Sequence, residues 1–371
     1  MPFNPEDLFV VAFLTLAGLH IVPIVVKSLA LIFTPDPDPS EEISPVSVIV
    51  CARNEEENLK ELVPLLLEQD HKEYEVIIVL DRCFDQSLDY MKSLEPHHPN
   101  LRTLIIDYVP DQFHPKKFGL TLAIKGAKYD WVLLTDADCR PVSQKWVSGM
   151  AKHFTDKRDI VLGYSPYFQE KGILNAYIGY ETFHTAFQYL SSARLGIPYM
   201  GVGRNLAYRK SLFLDNLGFG MHQRITGGDD DLFVQSHATR SNTGIAMGME
   251  LQIYSKPKQR LDEYLRQKKR HYSVSKYYDP VIILRHLIRG NIHLLLWLSF
   301  IILAILNVET LLVCGTMITV LALKGIFFKW STQKMGQGYK FWFTPFLDLA
   351  YATFTPVIST VAFFRKNIRW N

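Results

Sequence analysis

The sequence predicts an α/β domain on a mostly parallel sheet, flanked by transmembrane helices. Three observations predict it. Short apolar runs of strand length alternate with helical stretches between residues 46 and 135, the alternation that builds parallel sheets. Polar and acidic residues follow those runs, at the edge where open α/β sheets bind ligands. Long apolar segments lie towards both ends of the chain.

In order, Leu8 to Val26 is apolar except for Thr15 and His20, long enough to cross a bilayer. Residues 1–33 therefore read as an N-terminal anchor. Met1 to Asp7 holds Glu6 and Asp7 and no Lys or Arg, unlike a cleaved signal. Lys27 follows the apolar run, so the positive-inside rule expects the next segment in the cytosol. Residues 34–44 form an acidic, proline-rich linker, stiff by composition.

A soluble domain spans 45–275. Val46–Val50 reads as a strand, and Glu56–Glu68 as a helix with Leu59, Leu62, Val63 and Leu66 on one face. Glu75–Leu80 and Leu101–Ile106 are strands, Lys117–Lys128 is helical, and Trp131–Thr135 is a further strand. Tyr177–Leu190 carries Phe183, Phe187 and Leu190 among polar residues. It reads either as an amphipathic helix at the membrane interface or as a core-facing helix.

Residues 276–371 form a C-terminal membrane region, with spans expected near 291–306 and 310–328 around a turn at Asn307-Val308-Glu309. The segment 341–364 contains Pro345, Asp348 and Pro356 and reads as a kinked span or as a re-entrant or interfacial segment. As a span it would put Arg365, Lys366 and Arg369 outside. Arg266, Lys268, Lys269, Arg270, Lys276, Arg285 and Arg289 precede the first of these spans, again a cytosolic signal.

Net charge is +3, which makes no case for nucleic acid as partner. Cys51, Cys83, Cys139 and Cys314 form no Cys-x-x-Cys pair, so neither zinc nor a disulfide framework is expected. No Gly-x-Gly-x-x-Gly or Gly-Lys-Ser/Thr loop follows a strand, which counts against dinucleotide and P-loop sites.

The chemistry lies at the strand ends. Asp136-Ala137-Asp138 closes the Trp131 run. Two carboxylates at i and i+2 can hold a hard divalent cation such as Mg²⁺ or Mn²⁺, which can neutralise a departing diphosphate. Alone, the pair also fits loop solvation. Cys51-Ala52-Arg53-Asn54-Glu55 ends the first strand and Asp81 the second. Thr226-Gly227-Gly228-Asp229-Asp230-Asp231 precedes an apolar helix. Its acids can serve the helix dipole, or one can act as general base. Gln267-Lys268-Lys269-Arg270-His271 reads as a headgroup-facing basic surface or as a grip on an anion.

Together these motifs resemble the membrane-anchored, inverting family 2 glycosyltransferases of GT-A fold. Similar enzymes include ceramide glucosyltransferases and the synthases of cellulose, hyaluronan and poly-N-acetylglucosamine. The resemblance covers residues 44 to 275 and the membrane arrangement. It implies a Rossmann-like nucleotide-sugar domain in which Cys51, Ala52, Arg53, Glu55 and Asp81 surround the base and ribose. Lys117, on the lysine-led helix before the metal motif, binds the nucleotide sugar together with Asp136, Arg204 and Asn205, the last two from the segment that lines the donor sugar; Asp136 and Asp138 are metal ligands, Asp138 the more direct of the two. Asp229 aligns with the general base, with Asp230 the rival, because Gly228 stands where the family has Glu. Gln267, Arg270 and His271 match the Gln-x-x-Arg-Trp motif for diphosphate and acceptor, with His in place of Trp.

The resemblance implies an integral protein of the cell inner or plasma membrane with its catalytic domain in the cytosol. It would move a sugar from a nucleotide sugar, UDP-linked by family habit, to a lipid or glycan acceptor. The role expected is cell-envelope glycan or glycolipid synthesis. A processive synthase of the same family and a catalytically silent membrane scaffold are the alternatives. The absent Trp speaks against the first, and the full set of acids against the second.

Overall fold

The structure, a computed structural model, describes residues 5–36, 43–337 and 343–363. In chain order the helix α1 (Pro5–Ile32) precedes β1 (Val46–Ala52), α2 (Glu56–Leu67), β2 (Tyr74–Asp81), α3 (Ser87–Leu94), β3 (Leu101–Ile106), α4 (Pro115–Gly126) and β4 (Trp131–Asp136). Next come β5 (Cys139–Pro141), α5 (Trp146–Ala151), β6 (Ile160–Leu162), α6 (Ile173–Arg194), β7 (Leu206–Arg209), α7 (Lys210–Asp215) and α8 (Asp231–His237). The chain continues through β8 (Thr243–Ile245), β9 (Ile253–Ser255), α9 (Leu261–Ser273), α10 (Pro280–Ile305), α11 (Thr310–Lys334) and α12 (Thr344–Phe363).

Two units emerge. A sheet unit comprises Thr34–Glu170 and Gln188–Pro257; a helical unit comprises Met1–Phe33, Lys171–Phe187 and Lys258–Asn371. The division differs from the sequence boundary at residue 275, because α9 and the first part of α6 group with the apolar helices. The linker residues 37–42 lie outside the described residues.

In the sheet unit the strands run β3-β2-β1-β4-β7-β6-β8. β1, β2, β3 and β4 are parallel, and β7 is antiparallel to β4. After β1 the chain builds outward through β2 and β3, then returns to lay β4 on the other side of β1. That reversal opens a crevice at the carboxyl ends of β1 and β4, where α/β sheets take their ligands. The register pairs Cys51 with Asp136 and Ala52 with Leu80, so the polar ends of three strands share one edge. Both faces are covered, as the Val/Ile-rich strands require. On one, Val46, Val48 and Val50 pack with Leu59, Leu62, Val63 and Leu66 of α2, and with Trp146 and Met150 of α5. On the other, α4 approaches closely at Gly119, where an added Cβ would lie 3.0 Å from Val79 Cγ1.

In the helical unit α1, α10, α11 and α12 are long and apolar enough to cross a membrane. α10 begins at Pro280, eleven residues before the expected span. Asp279 caps it by accepting from the Val281 amide at 2.7 Å, and Pro280 suits the first helical position. The charged residues in its first turns mark the end of the apolar stretch, not the end of the helix. α11 likewise runs on to Lys334. Segment 341–364 contains one continuous helix, α12, with Pro356 inside it; Arg365, Lys366 and Arg369 lie outside the described residues. The interfacial reading of Tyr177–Leu190 is corrected. In α6 the polar Glu181, His184 and Gln188 are buried together with Phe183, Phe187 and Leu190, so this is a core helix.

Asp348 of α12 sits at the polar centre of the apolar bundle. It accepts from Tyr180 Oη at 2.7 Å, His293 Nε2 at 2.9 Å and Trp297 Nε1 at 3.1 Å, and from the ammonium of Lys324. Lys324 Nζ also lies 3.3 Å from His20 Nε2. Buried charge in apolar surroundings survives by such pairing.

Candidate active site

The β1 and β2 loops are tied together at the carboxyl edge of the sheet. Asn54 adopts φ 55°, a left-handed conformation that Asn tolerates better than most residues. Its Oδ1 accepts from the Phe84 amide at 2.9 Å, while Asp85 accepts from the Glu56 amide at 3.0 Å and so caps α2 from the neighbouring loop. Neither Asn54 nor Asp85 is among the site residues expected from the sequence, although Asn54 lies in the polar run that follows the first strand. Between them Arg53 is exposed, and Glu55 accepts from Asn58 Nδ2 at 2.6 Å. Asp81, almost buried at the end of β2, receives the Arg82 guanidinium at 2.8 and 3.2 Å. Burial pushes the Cys51 thiol up to about 12, so it stays neutral at this edge. Ala52 is buried beside it.

Lys116, in the first turn of α4, gathers the carboxylates. Its Nζ lies 2.9 Å from Asp136 Oδ1 and 2.9 Å from Asp229 Oδ2. Lys117, the lysine expected at the site, is placed elsewhere. That side chain is fully buried, donates to the His222 carbonyl at 2.6 Å and lies over the Phe219 ring. Consecutive helical residues point about 100° apart, so only one of the two lysines can face the crevice. Burial works against the Lys116 charge, but Asp136 and Asp229 prevail and hold its pKa well above the ordinary lysine value. Burial likewise works to raise Asp229, yet Lys116 holds its carboxyl below the usual range.

The acidic triplet is divided by geometry. Gly227 and Gly228 have φ 78° and 76°, left-handed conformations that favour glycine, and they turn Asp229 towards Lys116. Asp230 serves the backbone: Oδ2 accepts from the Gly203 amide and Oδ1 from the Asp231 amide, each at 2.8 Å. Burial and the neighbouring Asp229 charge push its carboxyl up. Asp231 accepts from the Leu232 amide at 2.7 Å.

Beyond β4, Asp138 accepts from Ser255 Oγ at 3.1 Å, brought there by the β5–β9 pairing. Arg204 lies over the Tyr167 ring, 4.5 Å from its centroid, and donates through Nη2 to the Ser165 carbonyl. Its Nη1 is buried without a hydrogen-bond partner. Asn205, expected at the donor sugar, lies next to Arg204 in sequence. It is fully buried, donates to the Tyr164 and Leu251 carbonyls at 2.8 and 2.9 Å, and accepts from Trp146 Nε1 at 3.1 Å. Its hydrogen bonding is committed to holding the core.

Asp136 and Asp138 offer carboxylate oxygens alone from one strand end, a donor set that suits Mg²⁺ or Mn²⁺. Among the described residues, a convergent group of three possible metal ligands lies elsewhere, at His20, His293 and Asp348. The carboxylate there already holds four donors, one of them an ammonium, which leaves a cation poorly served.

Gln267, Arg270 and His271 lie on α9 of the helical unit. His271 is exposed, whereas Lys268 between them is buried and paired with Glu181, which also accepts from Tyr272 Oη at 3.1 Å.

Comparisons with known proteins concern the chain as a whole. A family model described as glycosyl transferase family 21 matches residues 13–371. None of the curated proteins matches. Among solved structures, the chain is similar to a mannosyltransferase from Pyrobaculum calidifontis in complex with GDP-Man and Mn²⁺. That similarity has a TM-score of 0.58 at 16% identity, covering 96% of this chain and 98% of that one. It is also similar to TarS 1–349 from S. aureus, with a TM-score of 0.43 at 16% identity over 86% of this chain and 89% of that one. The same TarS fragment is known with UDP-GlcNAc, at a TM-score of 0.42, 15% identity and the same coverage.

Proposed function

The chain belongs to glycosyl transferase family 21, and from that premise we propose that it transfers one sugar, with inversion, from a nucleotide sugar to a lipid acceptor at the cytosolic face of a membrane. The observation that carries this reading is the division of labour between two neighbouring acids. Asp229 is turned to Lys116 at the sheet edge, while both oxygens of Asp230 hold backbone amides. Asp229 is therefore the general base, and it removes the acceptor hydroxyl proton as that oxygen attacks the anomeric carbon.

Arg204 donates from Nη1, the buried donor without a partner, to the donor sugar or its phosphates. Cys51, Ala52, Arg53, Glu55 and Asp81 flank the base and ribose. Asp136 and Asp138 would hold Mg²⁺ or Mn²⁺, which when bound neutralises charge on the leaving diphosphate. Gln267, Arg270 and His271 contribute to diphosphate and acceptor binding, a role that Arg270→Ala tests separately from the carboxylates. The donor is UDP-linked or GDP-linked; the GDP-Man complex of the mannosyltransferase makes GDP sugars part of the test. Transfer to a lipid is favoured over chain synthesis by His271 in place of the platform Trp. The cytosolic orientation rests on Lys27 and the basic run from Arg266 to Arg289.

The test is release of nucleoside diphosphate by detergent-purified protein with membrane lipid extract, across UDP and GDP sugars with Mn²⁺ or Mg²⁺. Metal-dependent release from one donor, lost in Asp138→Ala, is the expected result. Absence of release from every donor would overturn the reading and favour a silent scaffold.

A further inference from the structure

α1 and α10 pack as an antiparallel pair whose contacts recur every seven residues. Phe13 meets Phe300 with ring centroids 6.5 Å apart, and one step on His20 stacks on His293 at 4.3 Å. A seven-residue recurrence keeps one seam of each helix facing the other. The next step along that seam sets Lys27 opposite His286. On α10, Arg289 lies one turn from His286, with Nη2 3.4 Å from His286 Nδ1, and Arg285 is the adjacent residue. Like charges act across the seam: Arg289 and Arg285 on Lys27, and Arg289, Lys27 and Arg285 on His286.

This convergence lies near the end of α1 that leads into residue 34. Lys27 stands five residues before the end of the 28-residue α1, so its Cα lies roughly 8 Å from that end. A helix of that length spans roughly 42 Å, about the thickness of a bilayer with its headgroups. The cluster therefore sits at headgroup depth. A topology signal needs basic residues on one side of the membrane, but it does not need them to converge from two helices. Convergence raises their mutual repulsion, most of all where water is scarce. A phosphate relieves it through charge-assisted hydrogen bonds, which guanidinium groups make in pairs. Basic pockets between membrane helices take lipid headgroups in this way.

We propose that Lys27, Arg285, His286 and Arg289 form a site for the phosphate of an anionic lipid at the α1–α10 seam. The site goes beyond the transfer reaction, and it stands or falls without any activity measurement.

The experiment is native mass spectrometry of the full chain, released from bilayers of phosphatidylcholine mixed with phosphatidylglycerol. The wild-type protein is expected to retain phosphatidylglycerol selectively. Lys27→Gln combined with Arg289→Gln should weaken that retention roughly tenfold or more. Lys27→Arg with Arg289→Lys should keep it, as should Arg260→Gln, which removes an exposed charge elsewhere in the helical unit. Unchanged selectivity in the Gln double variant would overturn the site. Should that variant fail to insert, Arg285→Gln carries the same test, because its exposed side chain can be lost without disturbing the packing. Equal displacement of the lipid by inorganic phosphate alone would overturn the lipid assignment in favour of free phosphate.

Discussion

Lys116 Nζ lies 2.9 Å from Asp229 Oδ2, an ion pair formed between the first turn of one helix and the glycine turn before another. The same ammonium reaches Asp136 at 2.9 Å. One cation therefore joins the acid assigned as base to the acid assigned to the leaving group. Anything that draws Lys116 towards a bound diphosphate strips Asp229 of its main stabilising partner. Donor binding would then make the carboxylate more basic when a base is required.

The acid assignment gives the first prediction. Asp229→Asn should lower kcat by about 10² to 10⁴, the usual contribution of a placed general base. Asp230→Asn should act mainly on stability, because both of its oxygens hold backbone amides. Kinetics and thermal unfolding of the two purified variants decide this. Near-normal turnover in Asp229→Asn would sink the assignment.

Removing Lys116 should shift the pH dependence. In the wild type, Lys116 outweighs burial and holds the Asp229 carboxyl below its ordinary 3.8. The acid limb of kcat/KM should therefore fall below the usual carboxylate range. In Lys116→Met burial acts with less opposition, so the limb moves to higher pH. The stability sign follows the same logic. Because the folded pKa is depressed, the pair stabilises the protein above the unfolded carboxylate value, and that contribution disappears as pH falls through the folded one. An unshifted acid limb in the variant would mean that Lys116 does not control the base.

Much of this was legible in the sequence. Strands β1, β2 and β4 announced themselves because a buried parallel strand is an apolar run of fixed length, and Asp136 ends one of them. What escaped depended on the direction of side chains or on distant partners. Nothing local distinguishes Lys116 from Lys117, since helical neighbours diverge and both are lysine. Ser255, which holds Asp138, is 117 residues away. Asn205 resembles a site residue in sequence, yet it is committed to Trp146 and two carbonyls. Glu75 shows the reverse case: an acid in a strand that is structural, accepting from Ser47 Oγ at 2.6 Å and the Lys128 amide at 2.5 Å.

Asn205→Ala should therefore behave as a core lesion. It strands Trp146 Nε1 and two carbonyls, each a buried group whose unmet hydrogen bond costs about 1–3 kcal/mol. A total loss of about 3 kcal/mol or more is expected in denaturant unfolding, with KM for the donor unchanged in whatever fraction folds. A raised donor KM at normal stability would return Asn205 to the sugar site.

Asp348 supplies the last prediction. Four donors converge on this carboxylate from α6, α10 and α11, and one of them is the ammonium of Lys324. Lys324→Met removes an ammonium countercharge and leaves a buried anion, while Asp348→Asn leaves a buried cation. Breaking a buried ion pair from either side costs about 3–5 kcal/mol. The double variant strands neither charge, so it should be less destabilised than the two single losses added together. SDS titration of the detergent-purified protein measures all three. Strict additivity would show that the two charges do not stabilise one another. Strong positive coupling would show that Lys324 and Asp348 stabilise the bundle as a pair.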